Sequence, residues 1–135
     1  MASIVVFGGT VEGRLLAEAF QNTALEVHIC VATEYGASLL PDCFNIKIYT
    51  ERMDADQMAE FFSEKEPEYC LDATHPYAMA VTENIRKACQ KKSIAYIRVL
   101  REGADRFLEE KESVIYRESI EEAAEYLRHT TGNIL

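Results

Sequence analysis

No stretch of the sequence approaches the roughly 18 apolar residues of a membrane-spanning helix, so no span is expected. The opening Met1-Ala2-Ser3-Ile4-Val5-Val6 lacks the basic start of a secretion signal, and the chain is expected to be cytoplasmic. Positive charge is scarce: 14 Lys and Arg stand against 23 Asp and Glu, for a net charge of −9. That balance excludes broad binding to nucleic acid or to an anionic membrane, which need clustered cations, so an anionic ligand must be gripped locally. Cysteine is sparse as well. Cys30, Cys43, Cys70 and Cys89 form no C-x-x-C and have no histidine at ligand spacing, so no metal site or redox pair is expected and buried reduced thiols are. With 3 Pro and 6 Gly there is no linker rich in those residues, and no repeat or low-complexity tract. Residues 1–135 therefore read as one continuous domain.

What is present alternates between two periods. At 135 residues, 48% apolar and 27% charged, the composition is that of a globular domain able to hold one core. Ser3 to Phe7 is a β-branched run ending at Gly8-Gly9, as a strand buried on both faces would. Val11 to Asn22 carries Leu15, Leu16, Ala19 and Phe20 at helical spacing. Leu25 to Ala32 and Phe44 to Tyr49 read as further strands, with a short turn of helix between them reaching Leu40. Asp54 is placed to cap a helix that Pro67 closes, and Tyr69 to Asp72 is a fourth strand. Ala78 to Lys92 is a helix with Val81, Ile85, Ala88 and Cys89 inward, and Ile94 to Leu100 a fifth strand. A sixth strand at Ser113 to Tyr116, a helix capped by Ser119 through Arg128, and a strand starting at Gly132 complete the reading. Strands and helices alternating over short connections require crossovers, hence a mostly parallel sheet with helices on both faces. In such sheets ligands bind beyond the carboxyl ends of the strands.

Chemistry-bearing residues collect at that edge. Gly8-Gly9-Thr10-Val11-Glu12-Gly13-Arg14 has the place and spacing of a dinucleotide phosphate loop, with Thr10 where G-x-G-x-x-G puts its middle glycine. Glycine permits close backbone approach, and the helix that follows offers N–H groups to a phosphate; otherwise Gly8-Gly9 merely turns the chain. No Gly-Lys-Ser/Thr follows, which excludes an NTPase phosphate loop. An NAD site places an acid at the end of the second strand, whereas here Ala32 and Thr33 leave room for a 2′-phosphate that Arg14 could approach, favouring NADPH; Glu34 lies one step further and could still serve. Asp72-Ala73-Thr74-His75-Pro76-Tyr77 follows the fourth strand. Thr74 could contact cofactor, and His75 and Tyr77 could orient substrate or supply a proton; the alternative is a rigid turn with His75 bonded to backbone. Arg98 and Arg101, at or past the end of the fifth strand, are suited to pair with carboxylates or phosphates. His28 and His129 show no partner in sequence and are read as structural.

Four segments in order, Gly8 to Arg14, Val31 to Ala37, Asp72 to Ala78 and Tyr96 to Arg101, together resemble precorrin-6A reductase, including the cobalt-precorrin-6A reductase of the anaerobic route. The resemblance implies a Rossmann-like fold and reduction of a macrocycle double bond in a corrin-type tetrapyrrole, with hydride from NADPH. It implies that Gly8, Gly9, Thr10, Glu12, Gly13, Arg14, Thr33, Tyr35 and Gly36 face the cofactor, while Thr74 to Tyr77, with Arg98 and Arg101, line the space for the macrocycle. His75 and Tyr77 would then be the candidate catalytic residues, and Arg98 and Arg101 would meet the polycarboxylate substrate. Members of that family are nearly twice as long, with a second α/β lobe over the cleft. The chain is thus expected to be an N-terminal half, to bind cofactor weakly and turn over little by itself, and to be able to dimerise through surface the second lobe would cover. The competing expectation is a non-catalytic nucleotide-binding or redox-sensing domain. A short-chain dehydrogenase relative is disfavoured, since Val81 and Leu39 stand where a Tyr-x-x-x-Lys pair would put lysine after Tyr77 and Tyr35.

Overall fold

The computed structural model describes residues 2–100. Arg101 and the elements expected at Ser113 to Tyr116, at Ser119 to Arg128 and from Gly132 onward lie outside them. The described elements run β1 (Ser3–Phe7), α1 (Val11–Phe20), β2 (Glu26–Cys30), α2 (Glu34–Ser38), β3 (Ile46–Tyr49), α3 (Ala55–Lys65), β4 (Tyr69–Asp72), α4 (Met79–Lys92) and β5 (Ala95–Arg98). Every strand expected over this range is present: β1 and β4 have the expected bounds, and β2, β3 and β5 are one or two residues shorter at one or both ends. Phe44, expected inside β3, lies before it and is exposed.

The strands form one sheet in the order β3-β2-β1-β4-β5, and every pairing is parallel. Because side chains alternate across a strand, each run of buried residues feeds two cores. Ile4 and Val6 join Leu16, Ala17 and Phe20 of α1 on one face, with Val27, Ile29, Leu71 and Ile97. Val5 and Phe7 point the other way, to Met58 and Phe62 of α3 and to Ile85, Ala88 and Cys89 of α4. Helices thus cover both faces, as a parallel sheet requires. Leu15 and Val81, expected inward, are partly exposed; in α1 the buried stripe runs through Gly13, Leu16, Ala17 and Phe20 instead. Gly13 can lie on that stripe only because it has no side chain; of the expected face Ala19 still packs against this core, and Leu15 alone turns outward.

Cys30, Cys70 and Cys89 are buried thiols, and burial pushes Cys30 up to about 12 and Cys70 well above the ordinary thiol range. His28, which the sequence left without partners, is buried between two. Its Nε2 lies 2.8 Å from Glu26 Oε1 and its Nδ1 2.9 Å from the Tyr49 hydroxyl. A carboxylate only accepts, so Nε2 carries the proton and neutral Nδ1 accepts from Tyr49. Burial holds the imidazole below its usual 6.5, against the opposing pull of Glu26 and with Lys65 and Lys47 adding to the depression. The hydrogen bond from His28 holds the Glu26 carboxyl below its ordinary range.

Both shifts act in the same direction. Below the usual histidine value the unfolded chain takes up a proton that native His28 refuses, and stability falls as pH drops; Glu26 adds a further loss as it protonates. Urea unfolding of the wild type should therefore show its midpoint falling between pH 7 and pH 5. His28→Gln, which cannot titrate, should flatten that slope, and an unchanged slope would refute the assignment.

Candidate functional site

The chain order reverses on either side of β1: β2 and β3 extend to one side, β4 and β5 to the other. At such a switch point the connections leaving neighbouring strands diverge to opposite faces and open a crevice. A groove of about 830 Å³ occupies that place. Its walls come from the exits of four strands: Gly8 to Val11 after β1, Val31 to Thr33 after β2, Glu51 to Met53 after β3, and Thr74 and His75 after β4.

The floor is built by close backbone approach. Gly8 packs against α1 so tightly that a Cβ on Gly13 would sit 2.9 Å from the Gly8 Cα, which is why the third glycine of the motif is required. Gly9 has φ of 104°, a conformation that disfavours side chains, and a Cβ there would meet nothing within 4 Å. The turn is therefore open toward the groove. Thr10, standing in place of the middle glycine, caps α1: its hydroxyl accepts from the Gly13 N–H at 3.2 Å and donates to the Ala73 carbonyl at 2.5 Å. That second bond stitches the β1 exit to the β4 exit across the switch point, and it turns the threonine side chain into a brace.

The β2 exit repeats the device. Thr33 caps α2 by accepting from the Gly36 N–H at 2.9 Å, and Gly36 lies so close to the cap that a Cβ on it would stand 3.2 Å from the Thr33 hydroxyl. Tyr35, Leu39, Val11 and Val81 are exposed apolar side chains that line the groove, giving it walls suited to flat rings beside the polar glycine turn.

A buried polar cluster carries the β4 exit; in sequence Arg98 and Thr74 have expected roles and Asp72 stands out as the carboxylate of the same segment, whereas Thr82 and Tyr96 have none. Asp72 is fully buried; its Oδ1 accepts from the Thr74 N–H at 3.0 Å, the Thr74 hydroxyl at 2.6 Å and Arg98 Nη1 at 3.1 Å. Its Oδ2 accepts from the Thr82 hydroxyl at 2.9 Å and the Tyr96 hydroxyl at 2.7 Å. Arg98 Nη1 also donates to the carbonyls of Asp72 and Thr74 at 3.0 and 2.9 Å. Burial together with the neighbouring carboxylate drives the Tyr96 phenol far above its ordinary range, so it remains a donor. One carboxylate thereby organises β4, the loop after it, α4 and β5. The available signal was register: Asp72 pairs with Arg98, and both sit at strand ends.

Most of the expected cofactor-facing residues meet in the groove: Gly8, Gly9, Thr10, Arg14, Thr33, Tyr35, Gly36 and Thr74. His75 joins them, its Nδ1 accepting the Tyr77 N–H at 3.1 Å, which leaves Nε2 to carry the ring proton. The expected rigid turn and groove position therefore coexist. Gly13 lies behind Gly8, and Glu12, in the first turn of α1, is not part of the lining. Tyr77 is 77% exposed beside the His75 ring, outside the lining. Arg98 departs from the substrate-facing place expected of it: its side chain is 2% exposed and its guanidinium is engaged by Asp72 and Thr74. Glu51, Arg52 and Met53 line the groove without having been anticipated, because the segment after β3 carries no recognisable motif.

Residues 3–134 match the family described as precorrin-6x reductase CbiJ/CobK. The chain belongs to that family. A cobalt-precorrin-6A reductase of Priestia megaterium is 28% identical over 135 residues, which cover 96% of this chain and 52% of that protein. One from Methanothermobacter thermautotrophicus is 29% identical over 97 residues, covering 71% of this chain and 32% of the relative. This member of the reductase family thus spans about a third to a half of the length of these curated relatives. Among solved structures, CobK precorrin-6A reductase superposes with a TM-score of 0.61 at 23% identity, covering 75% of this chain and 38% of that one. A wide-type short-chain dehydrogenase/reductase of Veillonella parvula, solved with NADP, superposes at 0.60 with 14% identity, covering 76% of this chain and 48% of its own. The Rossmann-like fold is shared with these structures. No described helix is long and apolar enough to cross a membrane.

Proposed function

We propose that the chain is the dinucleotide-binding lobe of a reductase that acts on precorrin-6A or cobalt-precorrin-6A in cobalamin biosynthesis, with NADPH as hydride donor. The observation that carries the reading is the open Gly8-Gly9 turn at the switch point, held against α1 by Gly13 and facing Thr74 and His75 across one groove. The residues fit the cofactor. Gly8, Gly9, Thr10 and the first turn of α1 would hold the pyrophosphate, since helix N-termini present N–H groups and a positive dipole end. Thr33, Tyr35 and Gly36 would receive the adenosine, and Thr74 the nicotinamide side.

When bound, reduced nicotinamide supplies the hydride; the chain's residues hold it in place and limit water. His75 lines the groove, and its Nε2–H would donate to the substrate or orient it. Arg101 is proposed to meet substrate carboxylates. A second lobe, supplied by further sequence of the kind the longer relatives have, would close over the groove.

Titration of the chain with NADPH and NADH, followed by nicotinamide fluorescence, tests the reading. Saturable binding of NADPH is expected; if neither dinucleotide binds at millimolar concentration, the reading fails. Full steady-state turnover of corrin substrate by residues 1–135 alone would refute the need for a second lobe.

A further inference from the structure

Resting on that reading, we propose that Arg52 is the residue that selects the adenosine 2′-phosphate, and so makes the groove choose NADPH over NADH. The β2 and β3 exits run side by side: Cys30 pairs with Tyr49, and the Val31 N–H donates to the Tyr49 carbonyl at 2.9 Å. This register carries Ala32 and Thr33 alongside Glu51 and Arg52, and all four line the groove. The adenosine ribose of a dinucleotide seated on the Gly8-Gly9 turn lies at the end of the second strand.

Three observations assign the charge at that place. Ala32 and Thr33 are small and exposed, so they leave space beside the ribose. Glu34, the acid that an NAD site would use, is absent from the lining, and its carboxylate accepts from the Thr50 hydroxyl at 3.3 Å. Arg52 lines the groove, is exposed, and makes no ion pair or hydrogen bond among the described residues. Arg14, the other arginine of the groove, rises from α1 and lies 3.9 Å from Glu18. A planar guanidinium pairs with phosphate through two parallel hydrogen bonds, a contact that a ribose hydroxyl cannot return. Glu51 is the competing group: turned toward the ribose, its carboxylate would accept from a 2′-hydroxyl and favour NADH.

The test compares wild type, Arg52→Ala, Arg52→Lys and Glu51→Gln by calorimetric titration with NADPH, NADH, adenosine 2′,5′-bisphosphate and 5′-AMP. The last two probe the subsite without hydride chemistry. Arg52→Ala should weaken NADPH and the bisphosphate tenfold or more while leaving NADH and AMP within about twofold, and Arg52→Lys should recover part of the loss. Thermal melting checks that the exposed substitution leaves the fold intact. Wild type binding both dinucleotides with an NADPH:NADH ratio unchanged by Arg52→Ala overturns the assignment and leaves the proposed function standing. Loss of NADH binding in Glu51→Gln with NADPH unaffected by Arg52→Ala overturns it in favour of Glu51. Absence of any dinucleotide binding to wild type removes both proposals.

Discussion

Replacing Asp72 with alanine is expected to lower the unfolding free energy by about 3–5 kcal/mol, the usual cost of removing one partner from a buried ion pair. The side chains of Asp72 and Arg98 are 0% and 2% exposed, so the orphaned guanidinium cannot recover its hydration. The loss has a second part. The Thr82 and Tyr96 hydroxyls and the Thr74 N–H all donate to this carboxylate and would lose their acceptor together. Asp72→Leu combined with Arg98→Met separates the contributions in urea unfolding. The apolar pair removes the uncompensated charge and should recover part of the stability, while the unpaired hydroxyls keep the remainder lost. Equal losses in the single and double variants would show that charge is not the dominant contribution. Because the β4 exit carries Thr74 and His75 into the groove, dinucleotide affinity should fall along with stability.

Gly13→Ala is expected to destabilise by about 1–3 kcal/mol through overpacking, and to weaken NADPH binding at least tenfold, about 1.4 kcal/mol. The added methyl would stand 2.9 Å from the Gly8 Cα, and backbone cannot rotate aside as a side chain can. Either α1 lifts from β1 or the Gly8-Gly9 turn moves into the groove, and both displace the N–H groups that would receive the pyrophosphate. Gly9→Ala makes the contrast. Its methyl meets open space, so its cost comes from the φ of 104° alone. Melting temperature and calorimetric titration, read on both variants, check the pair. If Gly13→Ala binds NADPH as wild type does, close packing of that glycine is irrelevant to the site.

The described fold was largely legible because its signals are local. Ser3 to Phe7 is β-branched and ends at glycines, Asp54 does cap its helix, and the alternation of strand and helix leaves a parallel sheet as the outcome. Element ends were less legible, since the last pairs of a strand depend on its neighbour: Leu25 and Ala32, at the two ends of the apolar run, fall outside β2. The glycine turn and the Thr33 to Gly36 segment were legible as structural signals because glycine spacing and helix caps are read along the chain.

Thus the sequence by itself determined the class of sheet, the edge on which chemistry collects and the segments that reach it. Tertiary structure decided what each side chain does there. It took Arg98 out of solvent and paired it with Asp72, gave His28 two partners, used Thr10 to bridge two strand exits, and brought Arg52 beside Thr33. Apart from Glu26, which stands two residues from His28 on the same strand, the groups concerned are distant along the chain, and periodicity reports which face a residue occupies but not which group will meet it across the sheet.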